Sequence, residues 1–266
     1  MILVPEVRGL VSNRQVLGTL VKRDLRVRYA RSWLGYLWTV LDPLAMAAIY
    51  FVVFTLIFTQ RRGGNQPYFL HLIIGMLVWQ WFSQCMTESA RALLQESRLV
   101  RSTSVPRELW VVRVVMAKGL EFIYSLPILV VIVAGYMLAG QVRLHWTLVF
   151  IPVSILLTFL LATGIGLILA PITVLVTDMA RIVRIMIRMG MYATPIIYSA
   201  DSAPPALRTA LQFNPLTGIL ELFRSGFFRH QINVTSVMSA VLITVFVILV
   251  GVWVFKRLEP AVLKEI

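Results

Sequence analysis

Six apolar blocks divide this chain: Leu41–Phe58, Tyr68–Phe82, Phe122–Ala139, Trp146–Val176, Ile182–Tyr198 and Val237–Phe255. Each approaches or exceeds the ~20 residues that cross a bilayer core as a helix. The pattern therefore predicts an all-α polytopic membrane protein with six transmembrane helices. Two blocks are diluted. His71 and Gln80 enter the second, and Arg181, Arg184 and Arg188 recur at i, i+3 and i+7 at the head of the fifth. Long arginine side chains near a span end reach back to the headgroups, and that reading covers these three.

Outside the blocks the patterning changes period. In residues 1–37, Val16, Leu17, Leu20, Val21 and Leu25 fall at helical spacing, with Lys22, Arg23, Arg26 and Arg28 on the other side. A helix so divided is expected to lie in the cytosolic interface, its apolar stripe in the acyl boundary and its cations among anionic headgroups. This segment forms one unit, and residues 38–266 form the six-span domain. Within the fourth block, Ser154, Thr158, Ala162, Gly166 and Ala170 place small residues on one face, which lets another helix approach closely; packing within the chain is the expected use and a dimer seam the alternative. Between the fifth and sixth blocks, Asn214 suits an N-cap and Pro215 a first helical turn. Leu216, Leu220, Phe223 and Phe227 then mark an apolar face too short to span, so a re-entrant or interfacial outer helix is expected.

Composition agrees, since 59% of the residues are hydrophobic against roughly 45–50% in a soluble domain. The uneven distribution of Lys and Arg between alternate loops fixes orientation. Nineteen Lys/Arg fall in the two termini, Thr87–Lys118 and Asp178–Gly190, and six in the alternate loops. The positive-inside rule puts both termini in the cytoplasm. Because the cations border spans, they suit a membrane surface and not nucleic acid. Met1–Val4 is too short for a signal-peptide core. Cys85 is the only cysteine and the three histidines lie in separate segments, so neither a disulfide framework nor a metal cluster is expected.

Little enzyme chemistry is visible. No GxxxxGK[ST] phosphate loop occurs, the twelve acidic residues are scattered, and no Ser/His/Asp set can be argued. Lys118 and Glu121, three residues apart at the opening of the third span, are expected to pair. One inner loop stands out: Gln95–Leu109, QESRLVRSTSVPREL, reads as a short helix with three cations, a small apolar contact set and a proline that stops it.

The stretch RYARSWLGYLWTVLDPL (Arg28–Leu44) resembles the start of ABC-2 type permeases that export polysaccharides, a group with O-antigen, capsule, teichoic-acid and actinobacterial galactan exporters. TPIIYSADSAP (Thr194–Pro204) and FNPLTGILELFR (Phe213–Arg224) are similar to that family's fifth span, outer turn and re-entrant segment. The likeness runs the length of the chain in order; VTDMARI (Val176–Ile182) departs from it.

The resemblance implies a non-catalytic transport subunit in the bacterial inner membrane, working as a homodimer with two copies of an ATPase subunit that holds ATP and Mg. The cargo would be a polyprenyl-pyrophosphate-linked glycan, and no cofactor belongs to this chain. Its inner loop would be a coupling helix seated on the ATPase through Arg98, Leu99, Arg101, Val105, Pro106 and Arg107. Sugar faces stack on aromatic rings, so Tyr50, Phe54, Trp79, Trp81, Tyr192 and Tyr198 are channel candidates. Asn214, Pro215, Gly218 and Phe223 are candidates for an outer gate. Lys22, Arg23, Arg26, Arg28 and Arg31 are candidates for headgroup or pyrophosphate contact. Rival readings are an ABC-2 drug or small-lipid exporter, a polyprenyl-dependent membrane glycosyltransferase, which would need an acidic cluster at one membrane face, and a channel.

Overall fold

The computed structural model describes residues 9, 12–30, 32–57, 67–103, 105–200, 203–228 and 232–266. All regular structure among them is helical: α1 (Arg14–Tyr29), α2 (Trp38–Phe51), α3 (Tyr68–Ser89), α4 (Ala92–Gln95), α5 (Ser97–Ser102), α6 (Glu108–Leu138), α7 (Ile151–Leu175), α8 (Met179–Ala193), α9 (Pro205–Gln212), α10 (Pro215–Ser225) and α11 (Val234–Glu265). A 3-10 turn (Gly35–Leu37) precedes α2, and a π-helical turn (Val52–Ile57) continues it.

Among the described residues, five helical stretches are long and apolar enough to cross a membrane: Gly35–Thr55, Tyr68–Ser89, Glu108–Leu138, Trp146–Leu175 and Val234–Glu265. The sixth expected crossing, Ile182–Tyr198, does not reach that length. Its helix, α8, has 15 residues and stops at Ala193. The cause is local. Thr194 precedes Pro195 and adopts an extended conformation (φ −109°, ψ 139°), as the proline ring demands of its predecessor.

Two helices outrun the bilayer. At 1.5 Å per residue, the 31 residues of α6 and the 32 of α11 extend about 46–48 Å, against a hydrocarbon core of ~30 Å. Their surplus gathers at one end with α1, α4 and α5. There Val262 and Phe255 of α11 pack with Leu93, Val100 and Trp110. Leu17, Val21 and Leu25 of α1 bury against Leu109, Val112 and Ala117 of α6. Leu17, Val21 and Leu25 of the expected α1 stripe are thus covered by the protruding turns of α6, while Val16 stays exposed. α1, α4, α5, the head of α6 and the tail of α11, with their described cations, thus share one end of the bundle.

The small residues of α7 are used within the chain. Ser154, Thr158, Ala162 and Ala170 are all at most 1% exposed, and the Ser154 hydroxyl donates to the Ile219 carbonyl at 2.9 Å. A close helix approach lies two residues off that stripe, at Gly164. A Cβ on Gly251 of α11 would sit 2.4 Å from the Gly164 carbonyl oxygen of α7, so only glycine permits the crossing.

At the opposite end α10 wedges into the bundle. Asn214 caps it, its side chain accepting from the Leu216 amide at 3.0 Å, and Pro215 occupies the first turn, as expected. With 11 residues α10 cannot span. Arg224, buried near its end, donates to the carbonyls of Pro195 (2.7 Å), His71 (3.0 Å) and Ile196 (3.1 Å), serving the backbone freed by the break after α8.

Candidate functional site

At the inner end, cations and carboxylates from four segments interlock. Arg113, one turn and a half into α6 and 4% exposed in its side chain, reaches Asp24 of α1 at 3.1 Å and Glu96 at 2.9 Å. Its guanidinium also lies 5.3 Å from the Trp110 ring centre, over its face. Arg23 of α1 pairs with Glu96 as well. Glu96 sits between α4 and α5, and its carbonyl accepts from the Val100 amide, so this carboxylate ties the α4–α5 elbow to both α1 and α6. Burial alone would raise the Glu96 carboxyl. The hydrogen bonds from Arg113 and Arg23 overcome that and hold it below the ordinary carboxylate range.

A second network lies one layer deeper. The Lys118 ammonium, 1% exposed, stands 3.0 Å from both Glu121 and Glu88. Arg28 reaches Glu88 at 2.8 Å and Glu121 at 3.4 Å. The expected Lys118–Glu121 pair is present, but as one edge of a four-membered cluster that includes α1 and α3. Beside it opens a cavity of about 290 Å³ of mixed lining, with Arg28, Gln80, Lys118 and Glu121 on one side and Trp38, Trp81 and Phe122 among its apolar walls.

The coupling candidates divide by exposure. Arg98 and Arg101 are exposed on α5, Leu99 and Val105 pack inward, and Arg107 is spoken for by Glu259 of α11 at 3.5 Å. Exposed Leu94 joins the outward face. Pro106 does not stop this helix, contrary to expectation. α5 ends at Ser102 with Thr103 extended, and Pro106 stands at the start of α6, where its carbonyl accepts from the Leu109 amide at 3.1 Å. A proline fits there because it precedes the N-cap Arg107, where no helical amide is asked of it.

Among the headgroup candidates, Arg23 and Arg28 are held in the two networks, while Lys22 and Arg26 point outward from α1; Arg31 lies outside the described residues. The aromatic candidates also separate. Tyr50 and Phe54 stack with centroids 6.2 Å apart, the Tyr50 and Tyr192 hydroxyls are hydrogen-bond neighbours, and the Tyr198 hydroxyl donates to the Tyr192 carbonyl at 3.1 Å. These four form one group on α2, the π-helical turn that continues it, α8 and the turn after α8. Trp79 and Trp81 are interior: Trp81 stacks on Phe122 at 4.9 Å, and Trp79 covers Gly190. Of the outer-gate candidates, Phe223 is 2% exposed and packs edge-on to Phe122 at 6.0 Å. A Cβ on Gly218 would lie 2.2 Å from the Ser236 carbonyl oxygen. Asn214 also donates to the Thr194 hydroxyl at 3.0 Å, joining the head of α10 to the end of α8.

Asp24, Glu88, Glu96 and Arg113 were not singled out from sequence. One signal was available: with only twelve acidic residues in the chain, those that fall inside the basic inner segments have close cations to hand.

Comparison with known proteins fits this layout. The family model described as "ABC-2 type transporter" matches residues 15–228. An O-antigen export system permease of Klebsiella pneumoniae is 29% identical over 245 residues, 92% of each chain. Its counterpart in Myxococcus xanthus is 31% identical over 228 residues, 85% of each. A polysialic acid transport protein of Escherichia coli is 24% identical over 97% of this chain and 98% of its own. A capsule polysaccharide export inner-membrane protein of Neisseria meningitidis is 20% identical over 84% of this chain and 83% of its own.

Proposed function

The chain belongs to the ABC-2 type transporter family, and on that premise we propose that it is the permease of a polysaccharide exporter in the bacterial inner membrane. It is a membrane subunit without an ATPase domain. The end-to-end likeness to permeases of O-antigen, polysialic acid and capsule export carries the reading. The cargo is a polyprenyl-pyrophosphate-linked glycan. Two copies of the chain work with two copies of an ATPase subunit, which binds the ATP and Mg; this chain holds no cofactor.

The sixth crossing is α8 with the turn that follows it. α8 begins three residues after α7 ends and finishes where Asn214 meets Thr194. It runs antiparallel to α3, with Trp79 against Gly190 and the Tyr68 hydroxyl donating to the Ile197 carbonyl at 2.8 Å. Residues 183–197 therefore traverse as much of the bundle as the body of α3. Six crossings leave both termini cytoplasmic, in keeping with the charge bias.

Force enters at the elbow of α4 and α5. Its outward face, Leu94, Arg98 and Arg101, seats on the ATPase, while Leu99, Val105, Pro106 and Arg107 fix it to the bundle. The Glu96–Arg113–Asp24 network makes the elbow a rigid lever, because displacing it would strand buried charges. On α1, Lys22 and Arg26, with Arg31, meet headgroup or pyrophosphate. Tyr50, Phe54, Tyr192 and Tyr198 offer ring faces to sugars, and α10, from Asn214 and Pro215 through Gly218 to Phe223, closes the outer end. The experiment is co-purification: charge reversal at Arg98 and Arg101 should release the ATPase without altering membrane insertion. If the ATPase stays bound and export continues at the normal rate, the elbow is not the coupling surface.

A further inference from the structure

The three arginines of α8 have no place in the account so far, and reach to the inner headgroups does not explain them all. α8 has two faces. Val183, Ile187 and Gly190 seat it on α3, with Val183 4% exposed and a Cβ on Gly190 only 3.1 Å from the Trp79 ring. Arg181, Arg184, Arg188 and then Tyr192 follow at i, i+3, i+7 and i+11; at 3.6 residues per turn they fall within about 80° of one another on the other face. All four are exposed.

Their electrostatic state is unlike that of the inner-end cations held in ion pairs. Arg23, Arg28, Arg107, Arg113 and Lys118 each meet a carboxylate, whereas among the described residues none of the three α8 arginines makes a salt bridge. Among the described residues Arg184 donates to the Ala180 carbonyl of its own helix, at 3.4 Å. Depth sharpens the contrast. Arg181 lies in the first turn of α8, but Arg188 starts about 13–14 Å along it at 1.5 Å per residue. Arginines at such depth face water or a counter-ion and not hydrocarbon. Neighbours one turn apart have Cβ atoms ~5–6 Å from each other, so adjacent pairs can close on one phosphate-bearing group, which the planar guanidinium fork fits in bidentate fashion. At the far end the stripe runs into Tyr192 and its neighbours Tyr50 and Tyr198.

We infer that Arg181, Arg184 and Arg188 form a track that binds the diphosphate of the lipid-linked cargo and leads it along α8 toward the tyrosine group. This rests on the permease reading and adds a site to it. The occupant is the diphosphate of the cargo and not a bilayer phospholipid, because the stripe climbs beyond the headgroup layer.

The test uses the permease–ATPase complex in phosphatidylcholine vesicles, with polyprenyl diphosphate as probe and stimulation of ATP hydrolysis as readout. R184C and R188C should each raise the half-stimulating concentration at least tenfold. A cationic methanethiosulfonate should restore them and a neutral reagent of similar size should not; Cys85, fully buried, leaves the unmodified wild type as control. Because the charge is returned to an already folded protein, a folding defect cannot imitate the result. The inference is overturned if the variants match wild type, if the neutral reagent restores them equally, or if uncharged polyprenol stimulates as well. It is also overturned if phosphatidylglycerol alone gives the same arginine dependence, or if the variants separate the permease copies on native electrophoresis. Should the complex export no glycan while stimulation stays arginine-dependent, the glycan reading falls and the track stands. Should glycan export proceed while the diphosphate has no effect on wild type, the track falls and the permease reading stands.

Discussion

Replacing Arg113 with methionine keeps the length and apolar stem that lie on Trp110 and removes the charge joining Asp24 and Glu96. Deleting one partner of a buried ion pair costs about 3–5 kcal/mol, because the other is left uncompensated. Here the carboxylate side chains are each 19% exposed and can partly rehydrate, so the lower end applies, about 3 kcal/mol. At 1.36 kcal/mol per decade that is roughly a 150-fold rise in the fraction of time the α4–α5 elbow stands away from α6. Amide hydrogen exchange reads this locally. The Val100 and Thr103 amides, bonded to Glu96 and Leu99 carbonyls, should lose about two decades of protection, while amides in the middle of α7 keep theirs. Adding Glu96→Gln removes one of the stranded carboxylates and should return about half of the loss. In the full complex, Arg113→Met should leave ATP turnover running with little export. Unchanged exchange at α5, or a double variant worse than the single, would refute the idea that this network braces the elbow.

Three further outcomes are expected. The Glu96 carboxyl is held below its unfolded value, so its contribution is complete above about pH 4.3 and drains as the pH falls through the lower folded value; α5 exchange protection should be flat from pH 7 to 5, drop in more acid solution, and lose that drop in Glu96→Gln. Gly251→Val forces side-chain atoms against the Gly164 carbonyl, 2.4 Å from where a Cβ would stand, and should cost about 1–3 kcal/mol with lowered thermal stability in detergent, whereas Gly135→Val, with nothing within 4 Å, should not. Cysteines at Ser102 and Gln141, at opposite ends of the bundle, should label from opposite sides of the membrane; labelling from one side would contradict six crossings.

Much of this architecture was legible in the residue pattern because hydropathy, caps and charge bias are local signals. Asn214 and Pro215 announce the head of α10, and the small residues of α7 announce a buried face. What the pattern could not supply was the partner. Leu17, Val21 and Leu25 require burial, but periodicity cannot tell lipid from α6, and the surplus length of α6 hid in the amphiphilic run before Phe122. Pro106 sits between two helices, and a proline signals equally the end of one or the beginning of the next. The fifth block looked long enough because its apolar count ran through Thr194 and Pro195, where backbone sterics break the helix. The ion networks were least visible. Asp24, Glu96 and Arg113 are far apart in sequence, and each alone reads as an ordinary charge on a solvated helix face.

The central claim is that this chain moves a lipid-linked glycan with force borrowed from a separate ATPase. It is tested most directly by reconstituting the chain in vesicles with a polyprenyl-diphosphate glycan, with and without the ATPase, and following protection of the glycan from an external lectin after ATP is added to the ATPase side. Transport should require both subunits and hydrolysable ATP, and the chain alone should hydrolyse none. Glycan movement, or ATP hydrolysis, by a rigorously single-component preparation would contradict the account.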